Sequence, residues 1–117
     1  MKKDAFRVFG TIEEEETGRP LAGLVVRAFD RDLIIDDKVG YTSTDEDGRF
    51  EIRFNREDFR DFGESHPDLY LRVYDASGTR EIHQTTDAIR WNASASEQYR
   101  LRIPARALRP PAIRDGT

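Results

Sequence analysis

The sequence predicts an all-β fold, an antiparallel β-sandwich of about seven strands with one short helix near residues 56–62. Apolar and polar residues alternate with a period of two in several short stretches, as they do in half-buried strands. Turn-forming residues separate these stretches at intervals of roughly 8–12 residues, a spacing typical of sandwiches. Helical spacing of apolar residues occurs in one brief stretch, which argues against an α/β fold.

The composition is that of a single domain with a thin core. The chain has 117 residues, of which 37% are hydrophobic and 36% are charged, whereas a typical globular protein has roughly 25% charged residues. Leu, Ile, Val and Phe together make up 27 of the 117 residues. Because alternation places the charges on the opposite face from the apolar side chains, a two-sheet domain with solvated outer faces accommodates this composition.

The first two strands are predicted on either side of an acidic turn. Phe6, Val8, Gly10 and Ile12 share one face of the first strand, and the second strand is predicted around Leu24, Val26 and Ala28. Between them, the four glutamates at positions 13–16 are expected to form a solvated hairpin tip, followed by a Gly-Arg-Pro turn.

The middle of the chain predicts a hairpin and a helix. A short strand is expected at residues 41–44, and Asp47-Gly48 marks a tight turn. The next strand places Phe50, Ile52 and Phe54 on its inner face. The helix near residues 56–62 is predicted from Asn55 as its N-cap, Phe59 and Phe62 three residues apart, and Gly63 as its end.

The remaining strands are predicted in the second half of the sequence. Alternation marks a strand at residues 69–74, a weaker one at 80–85, and a last one that contains Tyr99, Leu101 and Ile103. Pro104 is expected to end that strand. The predicted domain therefore spans residues 1–104, and residues 105–117 are expected to form a flexible tail that contains proline and arginine.

Several motifs resemble known β-sandwich modules. Thr17-Gly18-Arg19-Pro20-Leu21 and Thr44-Asp45-Glu46-Asp47-Gly48-Arg49-Phe50 are similar to motifs of the carboxypeptidase regulatory-like domains. Pro67-Asp68-Leu69-Tyr70-Leu71-Arg72 resembles the transthyretin-like group more narrowly. The resemblance implies a prealbumin-like Greek-key sandwich. It also implies an accessory module that stabilises, docks or presents other domains, although a fold alone does not decide function.

Residue counts exclude several kinds of site and partner. The chain lacks cysteine, which excludes a disulfide framework, a cysteine-ligated zinc site and a thiol nucleophile. The net charge is -4, which disfavours a nucleic-acid partner. No apolar run approaches the roughly 20 residues of a membrane span, and the first residues do not resemble a secretory signal. We therefore expect no membrane insertion and, by default, a cytoplasmic location unless the chain belongs to a longer exported assembly.

One acidic segment is a candidate cation site. Its carboxylates are Asp30, Asp32, Asp36 and Asp37, and clustered oxygen ligands suit Ca²⁺. The simpler interpretation is that these side chains are solvated, form turns, or pair with Arg27, Arg31 and Lys38. Calcium is thus a hypothesis, and no other cofactor is expected.

Enzymatic alternatives depend on two histidines. Relatives with this type of fold include 5-hydroxyisourate hydrolase, which uses His and Arg residues, and intradiol dioxygenases, which hold iron with Tyr and His. Neither His66 nor His83 lies in the first strand, and the His-x-His spacing of the dioxygenases is missing. A small hydrolase or a metal-dependent enzyme therefore remains an alternative, but we expect no catalytic residues, and we expect neither histidine to be a metal ligand.

We expect a non-catalytic binding or assembly module. The contact is predicted to involve a protein partner or a second copy, through the exposed edges of the sheets. Trp91, the single tryptophan, is a candidate anchor for a partner or a glycan, although a lone Trp often fills the end of a small core instead. A carrier of a small ligand at a dimer interface is a further alternative.

Overall fold

A computed structural model describes residues 5–32, 36–55 and 66–110. Within these residues, seven strands form two sheets, which confirms the predicted all-β sandwich. The strands are β1 (Ala5–Glu14), β2 (Val25–Asp30), β3 (Asp37–Ser43), β4 (Arg49–Asn55), β5 (Leu69–Tyr74), β6 (Glu81–Gln84) and β7 (Ser96–Ile103). A 3-10 turn spans Thr86–Ala88, and one helical turn, α1, spans Ala105–Leu108. The helix predicted near residues 56–62 lies outside the described residues.

The two sheets combine strands that are distant in sequence. One sheet has the order β4-β1-β7, and the other has the order β3-β2-β5-β6. Neighbouring strands run antiparallel, apart from β1 and β7, which are parallel. The prediction of an antiparallel sandwich therefore needs this correction. Two parallel strands cannot be joined by a hairpin, and here most of the chain lies between β1 and β7 in the sequence.

The core lies between the inner faces of the two sheets. Alternation was a reliable guide to these faces, since β4 is buried and exposed at strictly alternating positions. The residues predicted for the inner faces of the first and fourth strands, and those named in the last strand, are all buried. Among the largest fully buried side chains are Ile12, Leu69, Leu71, Ile103, Val8, Val26 and Val73.

Strands β1 and β3 extend further into acidic stretches of the sequence than predicted. β1 continues through Glu14, which is buried and accepts hydrogen bonds from the Thr17 hydroxyl (2.6 Å) and the Arg19 guanidinium (3.2 Å). These two bonds hold the pKa of Glu14 below its ordinary value. The prediction that all four glutamates form a solvated tip is therefore wrong for the first two. Similarly, β3 begins at Asp37, four residues earlier than predicted.

The chain after Pro104 is attached to the sandwich. α1 lies against β6, and the Arg80 guanidinium donates to the carbonyls of Ala107 (3.2 Å) and Leu108 (3.3 Å). Proline is favourable at the start of a helix, and the next four residues, Ala-Arg-Ala-Leu, favour helix formation. The predicted flexible tail thus begins with an ordered turn. Residues 111–117 lie outside the described residues. No described helix is long and apolar enough to cross a membrane.

Candidate functional site

Trp91 is on the surface. Its side chain is 64% exposed, and Tyr41 at 69% is the other large hydrophobic side chain that is exposed in the described ranges. Of the two roles considered for this tryptophan, filling the core is therefore excluded. An exposed indole that is held in place is a frequent contact residue in protein interfaces, because it offers a large area with few rotatable bonds.

Backbone hydrogen bonds fix the segment that carries Trp91, residues 90–93, which we call the Trp91 turn. Arg90 and Leu69 exchange two N–H···O bonds of 2.9 Å, like a short extension of the sheet beside β5. The amide of Ala93 donates to the carbonyl of Pro67 at 2.8 Å. Both ends of the Trp91 turn are thus attached to residues 67–69, and the indole projects from between these attachments.

Side chains add a second set of bonds to the Trp91 turn. The Asp68 carboxylate accepts from the Asn92 amide at 2.8 Å, and His66 donates through Nδ1 to the Ala93 carbonyl at 2.7 Å. Asp68 is itself positioned by the buried Asp30, whose Oδ1 accepts from the Asp68 amide at 2.7 Å. Asp30 therefore acts on the Trp91 turn through Asp68.

The backbone at Asn92 has a left-handed conformation, with φ at 53°. Asparagine tolerates this region better than most other residues, whereas a β-branched residue would be strained there. This conformation lets the chain reverse immediately after Trp91. The sequence contained a usable indication, since Asn is a typical turn residue, but alternation carries no information about such a single position.

A charged network continues from the Trp91 turn into β7. The Arg90 guanidinium pairs with Glu97 at 2.8 Å and lies 3.7 Å above the ring of Tyr99. Glu97 also accepts from the Ser94 amide at 2.7 Å. Burial acts to raise the pKa of Glu97, but the bonds from Ser94 and Arg90 outweigh it and lower the pKa below its ordinary value.

The four aspartates of the candidate cation site do not act as one group. Asp30 is fully buried and bonds to Asp68, while Asp36 accepts from the Asp32 amide (2.9 Å) and the Tyr70 hydroxyl (2.5 Å). Asp37 begins β3 and is the cross-strand partner of Asp30. No group of three or more His, Asp or Glu side chains that could hold a metal ion occurs in residues 5–32, 36–55 and 66–110. The calcium hypothesis stays a prediction.

In the Asp36–Tyr70 pair, the pKa values of both groups differ from their ordinary values. Burial and the hydrogen bond to Asp36 raise the pKa of Tyr70 to about 12. Burial acts to raise the pKa of Asp36, whereas the bonds from Asp32 and Tyr70 lower it, and the net effect is a lowered pKa. The pair therefore consists of a neutral phenol that donates to a charged carboxylate, which joins the segment before β3 to β5.

The two histidines have separate environments. His66 bonds to the Trp91 turn, and its ring lies edge-on to Phe6. His83 is half-buried in β6, and this burial lowers its pKa. Each is accounted for by its position in the fold. The prediction that neither is a catalytic residue or a ligand stays a prediction.

Tyr41 marks a second surface that the sequence did not indicate. It lies opposite Arg27 on the outer face of the four-stranded sheet. On the same face, the Arg27 guanidinium lies 4.1 Å above the Tyr74 ring, and Phe29 stacks on Tyr70 with ring centroids 5.2 Å apart. The Lys38 ammonium lies 5.5 Å from the centroid of the Tyr41 ring, and Tyr41 is nevertheless 69% exposed.

Comparisons with known proteins give structural neighbours only. No protein-family model matches the chain, and no curated protein sequence matches it. The fold is similar to part of a 9R-lipoxygenase from Cyanothece PCC8801, with a TM-score of 0.63 and 25% identity, over 89% of this chain and 17% of the lipoxygenase. It is also similar to the dioxygenase domain of a dioxygenase and carbohydrate-binding protein fusion from Streptomyces sp. SirexAA-E, with a TM-score of 0.49 and 14% identity, over 86% of this chain and 80% of that domain.

Proposed function

We propose that this protein is a non-catalytic binding module that attaches to a protein partner through the Trp91 turn. The observation that carries this proposal is an indole 64% exposed on a turn that five hydrogen bonds attach to residues 66–69. Leaving a large apolar side chain in water has a cost, and fixing the backbone that carries it lowers the entropy lost on binding.

The exposed indole favours a protein as the partner. Tryptophan is among the residue types that contribute most to protein interfaces, and the ion pair of the neighbouring Arg90 with Glu97 helps to fix the turn that carries it. The similarity to a unit that occupies 17% of a much larger lipoxygenase supports a module that works beside other domains or subunits. The resemblance to carboxypeptidase regulatory-like and transthyretin-like domains agrees with this proposal.

The proposal is tested by affinity capture from a lysate of the source organism, followed by measurement of Kd with the purified partner. Trp91→Ala is compared with Tyr41→Ala, because both residues are similarly exposed and lie in different parts of the fold. We expect Trp91→Ala to weaken binding by about 30-fold or more, the effect of a central interface residue, and Tyr41→Ala to change it by less than about threefold.

A third variant separates the indole from its support. Asp68→Ala keeps Trp91 but removes the acceptor of the Asn92 amide, so we expect an intermediate loss of affinity. Equal affinities of the wild type and Trp91→Ala for every captured protein would contradict the proposal. Binding of a glycan, and of no protein, through Trp91 would replace the proposed partner class.

A further inference from the structure

β7 is an edge strand with an open side. In the sheet order β4-β1-β7, its described neighbour is β1 alone. It has eight residues, which makes it longer than β3, β4 and β6, the other strands at sheet edges. Long edge strands offer unpaired N–H and C=O groups on which a further strand can form.

The hydrogen bonds at the two ends of β7 show which backbone groups face outward. The Ala95 carbonyl accepts from Arg7, and the Ile103 carbonyl accepts from Glu15, each on the side of β1. Because successive residues of a strand direct their backbone groups to opposite sides, odd-numbered residues of β7 face β1. Gln98, Arg100 and Arg102 therefore direct their N–H and C=O groups to the open side, and all three residues are exposed.

The open edge is positively charged. The side chains of Arg100 and Arg102 are 67% and 54% exposed, and both approach the carboxylate of Glu13, at 3.4 and 3.3 Å. The single carboxylate of Glu13 thus pairs with two guanidinium groups. The outward-facing positions of β1, β4 and β7 have the same imbalance, with two glutamates, Glu13 and Glu51, against five arginines, Arg7, Arg49, Arg53, Arg100 and Arg102. Asp47, in the turn before β4, pairs with Arg49.

We propose that β7 accepts an extended segment of a protein partner as a fourth strand, and that this segment has acidic side chains at alternate positions. Side chains two residues apart on a strand are separated by about 6.5 Å and point to the same face. An added strand in register would therefore place its acidic residues beside Arg100 and Arg102, and its other residues beside the buried Tyr99 and Leu101. The proposal depends on the proposed function in that the ligand is a protein.

A second copy of the chain fits this edge less well. Pairing two β7 strands would bring Arg100 and Arg102 of both copies together on the same face, and like charges across strands are destabilising. An acidic segment supplies the missing negative charges and pairs with the backbone as well.

The test uses a fluorescein-labelled ten-residue peptide that alternates glutamate with threonine or valine, and a matched peptide with lysine in place of glutamate. Fluorescence anisotropy measures binding to the full chain. We expect the glutamate peptide to bind at least about tenfold more tightly than the lysine peptide, and Arg100→Gln/Arg102→Gln to remove about tenfold, since two exposed ion pairs contribute this much. Arg49→Gln/Arg53→Gln, the matched control on β4, is expected to change binding by less than about threefold.

A further variant tests strand pairing. Gln98→Pro removes an outward N–H that the pairing with β1 does not use, and proline is tolerated on edge strands. We expect this variant to keep its far-UV circular dichroism and to lose peptide binding. Unchanged peptide binding in Gln98→Pro, equal losses in the two arginine pairs, or no preference for the glutamate peptide would each overturn the proposal.

Two other outcomes identify a different occupant. A dimer that Gln98→Pro dissociates would place a second copy at the edge, and displacement of the peptide by single-stranded nucleic acid more effectively than by excess unlabelled peptide would point to a general polyanion site. Either result overturns the proposal. The β7 proposal and the proposed function can fail separately, because they concern different surfaces. If the two surfaces act independently, Trp91→Ala leaves peptide binding at β7 unchanged.

Discussion

Gly10 allows β1 and β7 to approach each other closely, and its replacement by alanine is expected to be severely destabilising. A Cβ atom at this position would lie 1.9 Å from the carbonyl oxygen of Tyr99, whereas ordinary contacts begin at 3.4 Å. The two backbones would therefore have to move about 1.5 Å apart. That displacement would stretch N–H···O bonds of about 2.9 Å beyond useful length.

The expected cost combines broken hydrogen bonds with overpacking between the two strands. Two backbone hydrogen bonds at about 1 kcal/mol each, with about 1–2 kcal/mol for overpacking, give about 3–4 kcal/mol in the free energy of unfolding. Urea unfolding followed by far-UV circular dichroism measures this quantity. Gly40→Ala is the control, because its Cβ would meet a side-chain methyl group of Ile52 at 2.5 Å and no backbone atom closer than 4.0 Å, and we expect a smaller cost of about 1–2 kcal/mol. A free energy of unfolding for Gly10→Ala within about 1 kcal/mol of the wild-type value would show that β1 and β7 do not need glycine at this position.

Two further predictions concern titrating groups. Because the pKa of Glu97 is lowered in the folded state, its contribution to stability is complete above its unfolded pKa of about 4.3 and is lost as the pH falls through the folded pKa. Glu97→Gln should therefore lose less free energy of unfolding between about pH 5 and 3 than the wild type does, and an identical pH profile would contradict the assignment. The pKa of Tyr70 is raised to about 12, so its contribution is complete below about pH 10 and is lost as the pH rises toward 12. Tyr70→Phe should cost about 2 kcal/mol at neutral pH by removing the donor to Asp36 and should weaken this alkaline loss, whereas Tyr41→Phe, at an exposed position, should change the stability at neutral pH by less than about 0.5 kcal/mol.

Alternation predicted most of the sandwich because each strand has one face in the core. Phe50, Ile52 and Phe54 could be assigned to the inner face without knowledge of their partners, and the Asp47-Gly48 turn follows from local backbone preferences, with Gly48 at a φ of 73°. The parallel pairing of β1 with β7 could not be predicted in this way. It depends on contacts between residues about 90 positions apart, which no local pattern records.

The strand ends were harder to predict than the strands. Glu14 has the charge of a surface residue, but hydrogen bonds from Thr17 and Arg19 allow its burial. The helical turn after Pro104 was missed because proline was interpreted only as the end of a strand, although the residues after it favour a helix.

The candidate site was predicted in part. Trp91 was identified as a residue of interest, but a single tryptophan without a periodic context gives no indication of its exposure. The hydrogen bonds that hold the Trp91 turn involve Asp30, Asp68 and Asn92, which come together only in the folded chain. Asp30 was instead assigned to a calcium hypothesis, because a carboxylate that accepts a backbone amide and one that binds a cation look alike in a sequence.

Trp91 is proposed to be open to solvent in the free protein and covered by a partner in the complex. Trp91 is the single tryptophan, so collisional quenching of the intrinsic fluorescence by acrylamide or iodide reports on this residue when the partner lacks tryptophan or has its tryptophans replaced. We expect efficient quenching and red-shifted emission in the free protein, and strongly reduced quenching in the complex. Blue-shifted, poorly quenched emission in the free protein, or quenching that is unchanged in the complex, would contradict this proposal.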